Sequence, residues 1–410
     1  MRRTAVRGVV LLALSIATLV VVSVADAAVV QKKPSSLYGA NGTVRVTIVV
    51  GDTTYLGGQF TAMVPNGGGT SVTRNHVAAV STATGALLPW NPNVNGTVYT
   101  MAASNGNVYL GGSFTAVNGA AYKNLVEVSG AGVSGTGTGP VVTGFANLLK
   151  PNKAVRGLAV SPAGNLYVGG AFTTPRRFAA EVNASGTLIP AFAPVISNSL
   201  GTSPEVRAIA INPSGTRVIL GGFFNQLNSG APLDSNTTNL GIGAVDATTG
   251  ASLPWAWHTS DLQTFRPFQV LSFAQDGSTL FGAGTGNGGS AMSWDIETGN
   301  LNYIEGFNGN VVGVGVADGI LYMGGHFSGY DGPVPGSNFT TPIASRDKLA
   351  AVDEATGLVL SPWNPAVNTT LGIEALGAAS SAPGNATVAI GGELTKAGGV
   401  AQQHFTLFHE

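Results

Sequence analysis

The chain has 410 residues, 59 of them glycine, and only 10% are charged, against about 25% in an ordinary soluble domain. Nineteen basic residues stand against 20 acidic ones with no basic block, which excludes nucleic acid as a partner. There is no cysteine, so neither a disulfide framework nor a thiolate metal site can form.

Arg2, Arg3 and Arg7 precede an apolar run from Val9 to Val24, and Ala25-Asp26-Ala27 follows as a small-x-small cleavage site. The run is short for a membrane span of about 20 residues. Residues 1–27 therefore read as a secretory signal peptide. The remainder, 28–410, reads as a single domain outside the cell, with no further membrane segment. It carries 16 basic and 19 acidic residues, a net charge of −3.

One phrase recurs along that remainder. It reads Thr54-Tyr-Leu-Gly-Gly-Gln-Phe60, Val108-Tyr-Leu-Gly-Gly-Ser-Phe114, Leu166-Tyr-Val-Gly-Gly-Ala-Phe172, Val218-Ile-Leu-Gly-Gly-Phe-Phe224, Leu321-Tyr-Met-Gly-Gly-His-Phe327 and Val388-Ala-Ile-Gly-Gly-Glu-Leu394. A worn copy is expected at Leu280-Phe-Gly-Ala283. The first glycines then fall at 57, 111, 169, 221, 282, 324 and 391. A fixed period of this kind marks a repeat architecture. Each repeat resolves into four short strands. An apolar run such as Thr97–Ala103 comes first, then a turn with Asn105-Gly106, suited to a tight hairpin. The Gly-Gly strand is second, and paired glycines within a strand imply close approach of another backbone. Third comes an alternating run such as Leu349–Asp353, closed by Asp-x-x-Thr-Gly turns at Asp246–Gly250, Asp295–Gly299 and Asp353–Gly357, whose acid caps the turn. The fourth strand carries an aromatic residue beside proline, as at Trp90, Trp255 and Trp363, which suits an outer edge.

Seven such units describe an all-β fold: a seven-bladed β-propeller of four-stranded antiparallel blades. The last copy stops after its third strand at His404–Phe408. The segment Val29 to Leu37 is expected to supply the missing strand and close the ring. The longer loops gather mainly on one face, at Ala62–Asn75, Asn225–Leu240, Ser328–Asp347, Ala191–Pro204 and Ala256–Pro267, while Gly130–Gly139 lies opposite. Long loops on a rigid scaffold are where binding sites usually lie.

Val108–Gly119 and Leu349–Pro365 carry the pattern VYLGGxFT-x-VNG and a Leu-Ala-x-Val-Asp strand followed by Thr-Gly-x-Leu-x-Pro-Trp. This pattern resembles the delta-60-repeat β-propeller family of bacterial exported proteins. The resemblance implies an extracellular propeller and supplies no catalytic residues. The fifth copy departs from the pattern.

Stacking the seven first strands places Arg45, Tyr99, Arg156, Arg207, Gln269, Val312 and Glu374 at one position. Three of the nine arginines of residues 28–410 fall there, far above a chance share. The innermost strand lines a central channel, so a polar ring at its mouth is expected, with arginines able to clamp a carboxylate or phosphate. Arg45 and Glu374 belong to neighbouring blades and suit a closure ion pair. Arg156 and Arg207 show no acid between them and carry the functional case. Trp257 and His258, in a connector, and Tyr330 and Asp331, near the mouth, are further contact candidates. The tryptophans of the fourth strands read as packing between blades. The histidines His76, His258, His326, His404 and His409 have no metal-ligand spacing. No cofactor is expected. Seven Asn-x-Ser/Thr sequons occur (Asn41, Asn95, Asn183, Asn236, Asn338, Asn368, Asn385), as composition alone predicts.

The favoured reading is a monomeric, non-catalytic binding or scaffold propeller that recognises a glycan, a cell-envelope component or a protein through its long-loop face. The alternative is a propeller enzyme with its site at the mouth. A glycan lyase or hydrolase would draw on Glu374 or Asp331 with Tyr330. A quinoprotein-like oxidoreductase is suggested by the Asp-x-x-Thr-Gly then Trp rhythm, although the Gly-to-Trp gap is one residue longer here and the cysteine pair of many such enzymes is absent.

Overall fold

The computed structural model describes residues 29–131, 138–145, 149–199, 201–227, 241–256, 269–286, 288–334 and 342–410. The predicted signal peptide, Trp257 and His258 lie outside them, as do parts of the long loops at 225–240, 256–267 and 328–347 and of 130–139.

Among the described residues the secondary structure is all β. It is built from seven antiparallel units of one pattern. In unit 1, Val44–Val50 pairs with Thr53–Gly58, which pairs with Val77–Ser81. The same order recurs in the other six, from Thr97–Ser104, Asn107–Ser113 and Leu125–Ser129 in unit 2 to Ile373–Ser380, Ala386–Gly392 and Phe405–His409 in unit 7. The fourth strand is much shorter than the sequence suggests. Unit 5 has a full one, Leu301–Phe307, and unit 4 has Ser252–Leu253. Units 1, 2, 3 and 6 keep single bridges, at Val80↔Leu87, Val128↔Val141, Val182↔Leu188 and Val352↔Val359. The prolines that follow these contacts in units 1, 3, 4 and 6 (Pro89, Pro190, Pro254 and Pro362) have no ladder donor, so pairing stops early.

No unit has a core of its own. The first strand of each packs beside the first strand of the next, and that of unit 7 beside that of unit 1. The buried side chains form seven clusters, each shared by two neighbouring units. One joins Val44, Leu56 and Phe60 of unit 1 to Ala389, Phe405 and Leu407 of unit 7. The Gly-Gly pair makes this packing possible. A Cβ on Gly391 would lie 2.5 Å from Val44 Cγ1, and one on Gly57 would lie 2.8 Å from Val98 Cγ1 of unit 2. The first glycine is therefore the socket for a branched side chain of the following unit. The second faces its own first strand, where a Cβ on Gly58 would collide with the Thr43 carbonyl. Unit 5 departs from the sequence alignment: its equivalent pair is Ala283-Gly284, not Gly282-Ala283, because Val270 pairs with Gly284 and Ser272 with Ala283.

Trp90, Trp255 and Trp363 are buried. Trp90 Nε1 donates to the Ser129 carbonyl of unit 2 at 2.7 Å, and Trp363 meets Phe408 of unit 7 edge-on, so these residues do pack between units. The end of a fourth strand also hooks onto the hairpin that follows the next unit's second strand. Ala40↔Met63, Ile196↔Leu227 and Phe307↔Tyr330 are such pairs. Asparagines beside several such contacts cap the hairpin: Asn41 Oδ1 accepts from Thr61 and Ala62 N–H, Asn95 Oδ1 from Thr115 and Ala116 N–H, and Asn308 Oδ1 from Ser328 and Gly329 N–H. Asn368 caps Thr395 likewise. Three of the sequons thus have a structural reason that composition did not supply.

Residues 29–35 run along the last strand of unit 7. Ser35 N–H donates to the Leu407 carbonyl at 3.1 Å and Gln31 N–H to that of His409 at 2.6 Å. The first bond is the one that Leu88 makes to Ala79 in unit 1 and Leu360 to Ala351 in unit 6. Val30 is buried in the cluster between units 6 and 7. Its N–H donates to Tyr322 Oη, as Ala131 N–H of unit 2 donates to Tyr55 Oη. A chain beginning at residue 42 should therefore lose thermal stability. Val30→Asp, which places a carboxylate in that cluster, should cost about 2–4 kcal/mol in chemical denaturation. Unchanged unfolding midpoints in both would show that the segment closes nothing.

Candidate functional site

The first strand of every unit carries a β-bulge at one position. The register slips between Val44 and Val46, Val98 and Thr100, Val155 and Gly157, Val206 and Ala208, Val270 and Ser272, Val311 and Gly313, and Ile373 and Ala375. A bulged residue is unpaired and its side chain is re-aimed. The seven bulged residues are Arg45, Tyr99, Arg156, Arg207, Leu271, Val312 and Glu374. They converge on one pocket of about 300 Å3, which Asn310 and His326 also line. Below it a cavity of about 240 Å3 continues between all seven first strands.

Six of the seven positions are those expected from sequence. Gln269 is the exception: it pairs with Thr285 in the ladder, and Leu271 takes the bulge. The segment Gly282-Ala-Gly284 offers two registers, and the similarity of Phe268-Gln-Val270 to the other strands selects the wrong one.

A second correction concerns Arg156 and Arg207. An acid does stand between them. Glu205, at the start of the unit 4 strand, lies 2.6 Å from Arg207 Nε and 3.2 Å from Arg156 Nε. Arg156 also stacks on Tyr99, its guanidinium carbon 3.8 Å from the ring centroid, a cation–π contact. Across the mouth, Arg45 Nη1 donates to Glu374 Oε2 at 2.8 Å and Arg45 Nη2 to Gln59 Oε1 at 3.2 Å. His326 Nε2 lies 3.5 Å from Glu374 Oε1. On the rim Glu393 accepts from Thr43 Oγ1. Arg45 and Glu374 thus form the ion pair expected between the first and last units. Burial would raise the Glu374 carboxyl, but the contact from His326 and the charge of Arg45 outweigh it and hold the group below its ordinary value of 4.5.

Tyr330 and Asp331 do not line the mouth. Both are buried in Gly329–Pro333, where the hairpin hook needs an extended, covered segment. Tyr330 Oη donates to Glu305 Oε2 at 2.6 Å. Glu305 is only 3% exposed, and burial pushes its carboxyl up to about 7 despite that bond. Sequence reasoning passed over Glu205, Glu305, Asn310 and Leu271. Glu205 had a readable signal, since residues two apart on a strand share a face and Glu205-Val-Arg207 has that spacing. Among the described residues, no three His, Asp or Glu side chains could hold a metal ion together, and no helix is long and apolar enough to cross a membrane.

No model of a known protein family matches the chain, and a search of curated proteins finds no match. Among solved structures it is similar to the WD40 β-propeller domain of Doa1, at 11% identity over 92% of this chain and 96% of that one, with a TM-score of 0.51. It is also similar to the computationally designed Ika8 protein, at 14% identity over 93% of this chain and 100% of that one, with a TM-score of 0.48. The first likeness, with the all-β structure, shows a propeller-like fold.

Two carboxyls shifted in opposite directions give separable acid responses. The folded Glu374 titrates below 4.5, so the unfolded chain takes up that proton first. The stability it contributes is complete above 4.5 and is lost as pH falls through the folded value. Glu374→Gln should lower the melting temperature at pH 7, by an amount equivalent to about 1 kcal/mol for a partly exposed pair. That gap should close on acidification. Glu305 has the reverse sign: its folded value of about 7 lies above 4.5. It should cost the wild-type chain stability as pH rises from 4.5 to 7, a step that Glu305→Gln lacks. Parallel melting curves of wild type and either variant across pH 3–8 would contradict the assignment.

Proposed function

We propose that the chain is a secreted, non-catalytic binding or scaffold propeller of seven four-stranded blades, related to the delta-60-repeat proteins. On this reading residues 1–27 direct export and are removed, and residues 28–410 form one domain. Residues 29–37 supply the outer strand of the last blade. The partner is an extracellular glycan, envelope component or protein, and recognition centres on the channel mouth of the long-loop face. The observation that carries the reading is the bulge repeated in every first strand. A bulge removes a ladder pair each time, yet all seven aim a side chain at one pocket, and five of those seven are polar or charged. The pocket is at the lower end of the size of small-ligand sites. Glu374 is tied to Arg45 and His326, which suits a fixed ionic partner better than a proton donor.

An array of glycans and envelope fractions, probed with wild type and with Arg156→Ala/Arg207→Ala, tests this. The expected result is a wild-type ligand whose binding falls at least about tenfold in the variant, as loss of a charge-assisted contact implies. Equal binding by both removes the mouth from the site. Absence of any ligand removes the binding role.

A further inference from the structure

The two arginines beside Glu205 form a device with a definite chemical preference. Glu205 faces the Nε edge of each guanidinium: it accepts a hydrogen bond from Arg207 Nε at 2.6 Å and pairs with Arg156 Nε at 3.2 Å by charge, without a hydrogen bond. Among the described residues no protein acceptor meets the Nη atoms of either. The Tyr99 ring fixes the plane of Arg156 from one face, and the side chains of Arg156 and Arg207 remain 34% and 38% exposed. A carboxylate that holds two guanidiniums by their inner edges prevents their mutual repulsion from splaying them apart. It leaves the outer edges preorganised for one more oxyanion. Two arginines and one glutamate carry a net charge of +1. Arg45 is different, since each of its Nη atoms already donates to a protein acceptor, one to Glu374 and one to Gln59.

The next positions around the mouth are apolar, Leu271 and Val312, and then come Asn310 and His326. Asn310 Oδ1 accepts from Thr285 Oγ1, which fixes the side-chain amide and leaves its N–H groups to donate. The mouth therefore presents, in sequence around the ring, a site for a monoanion, an apolar wall and donors for hydroxyl groups. We infer that the ligand class is a carboxylated sugar unit of an acidic polysaccharide. Its carboxylate sits on the outer edges of Arg156 and Arg207, its C–H face on Leu271 and Val312, and its hydroxyls on Asn310 and His326. This rests on the reading of the mouth as a binding site. The single positive charge favours a carboxylate over a phosphate dianion, which would meet Glu205 and Glu374 at close range. The space of about 300 Å3 suits one sugar unit, with the rest of the polymer outside.

Isothermal titration calorimetry with tri-galacturonate, its methyl ester and neutral maltotriose provides the test, with inorganic phosphate as competitor at constant ionic strength. Tri-galacturonate is expected to bind, and the ester and maltotriose at least tenfold more weakly, without displacement by phosphate. Arg156→Ala/Arg207→Ala should lose about 100-fold, and Arg156→Lys/Arg207→Lys about tenfold, because lysine keeps the charge but not the fork. Melting curves of both variants report whether the fold is intact, and the lysine pair keeps the test valid if the alanine pair unfolds. Equal binding of acid and ester, displacement by phosphate, or undiminished binding by folded variants would overturn the carboxylate assignment. So would failure of all three sugars when another ligand from the array still binds, in which case the binding reading stands. If neither the array nor the sugars yield a ligand, both fall together.

Discussion

The contact on which the structure depends is the seating of one branched side chain in the gap above a glycine of the preceding unit. Val44, Val98, Val155, Val206, Val270 and Ile373 fill this role, with Ala283 replacing the glycine in the fifth unit against Val311. Each unit alone is a sheet of three or four strands with both faces apolar, which leaves that surface in water unless a neighbour covers it. Burying those faces requires neighbours on both sides, and the requirement is met everywhere only if the first unit also meets the last. The contact of Gly391 with Val44 is where that happens. Burial of a single Val or Ile is worth roughly 1.5–3 kcal/mol, so seven seats of this kind, each within a larger cluster, are a major part of what holds the units together.

The same geometry determines where chemistry can occur. The second glycine lies against the carbonyl that precedes the bulge, and the bulge follows directly from this close approach. The inner strand gains one residue relative to its partner, and that residue has no ladder neighbour. Its side chain leaves the packed layer and points into the space between the units. Packing and site are thus linked through two adjacent glycines: one receives the neighbour, the other lets the bulge form. The side chain at the bulge is then free to vary. The glycines stay nearly constant while the bulge holds arginine, tyrosine, leucine, valine or glutamate.

This division explains what was legible in the sequence. The glycine phrase, the hairpin turns and the buried tryptophans all answer to packing, which repeats, and so they were readable as a period. Placing Arg45, Tyr99, Arg156, Arg207 and Glu374 together needed only the register that the glycines give. Where the phrase wears out, in Leu280–Gly284, register was lost and Gln269 was exchanged for Leu271. Fourth strands were overestimated because prolines and turn residues look the same beside a long strand or a single bridge. Glu305 was invisible for a different reason. Its burial comes from a hairpin of the following unit, through Tyr330, and no pattern within its own strand announces that contact.

Glu205 illustrates how an ion pair can belong to a site without opposing it. Two guanidiniums on adjacent units would repel each other and turn outward into solvent. One carboxylate placed between their Nε edges, bonded to Arg207 and paired by charge with Arg156, offsets that repulsion at the cost of one charge. What remains is a single positive charge spread over two planar groups whose positions are fixed by the strands and, for Arg156, by Tyr99. At Arg45 the one-to-one pair with Glu374 leaves no such surplus, and Gln59 takes the second Nη atom. The two halves of the mouth therefore differ in kind. One half is an ion pair that ties the last unit to the first, and the other keeps its donors turned toward the opening.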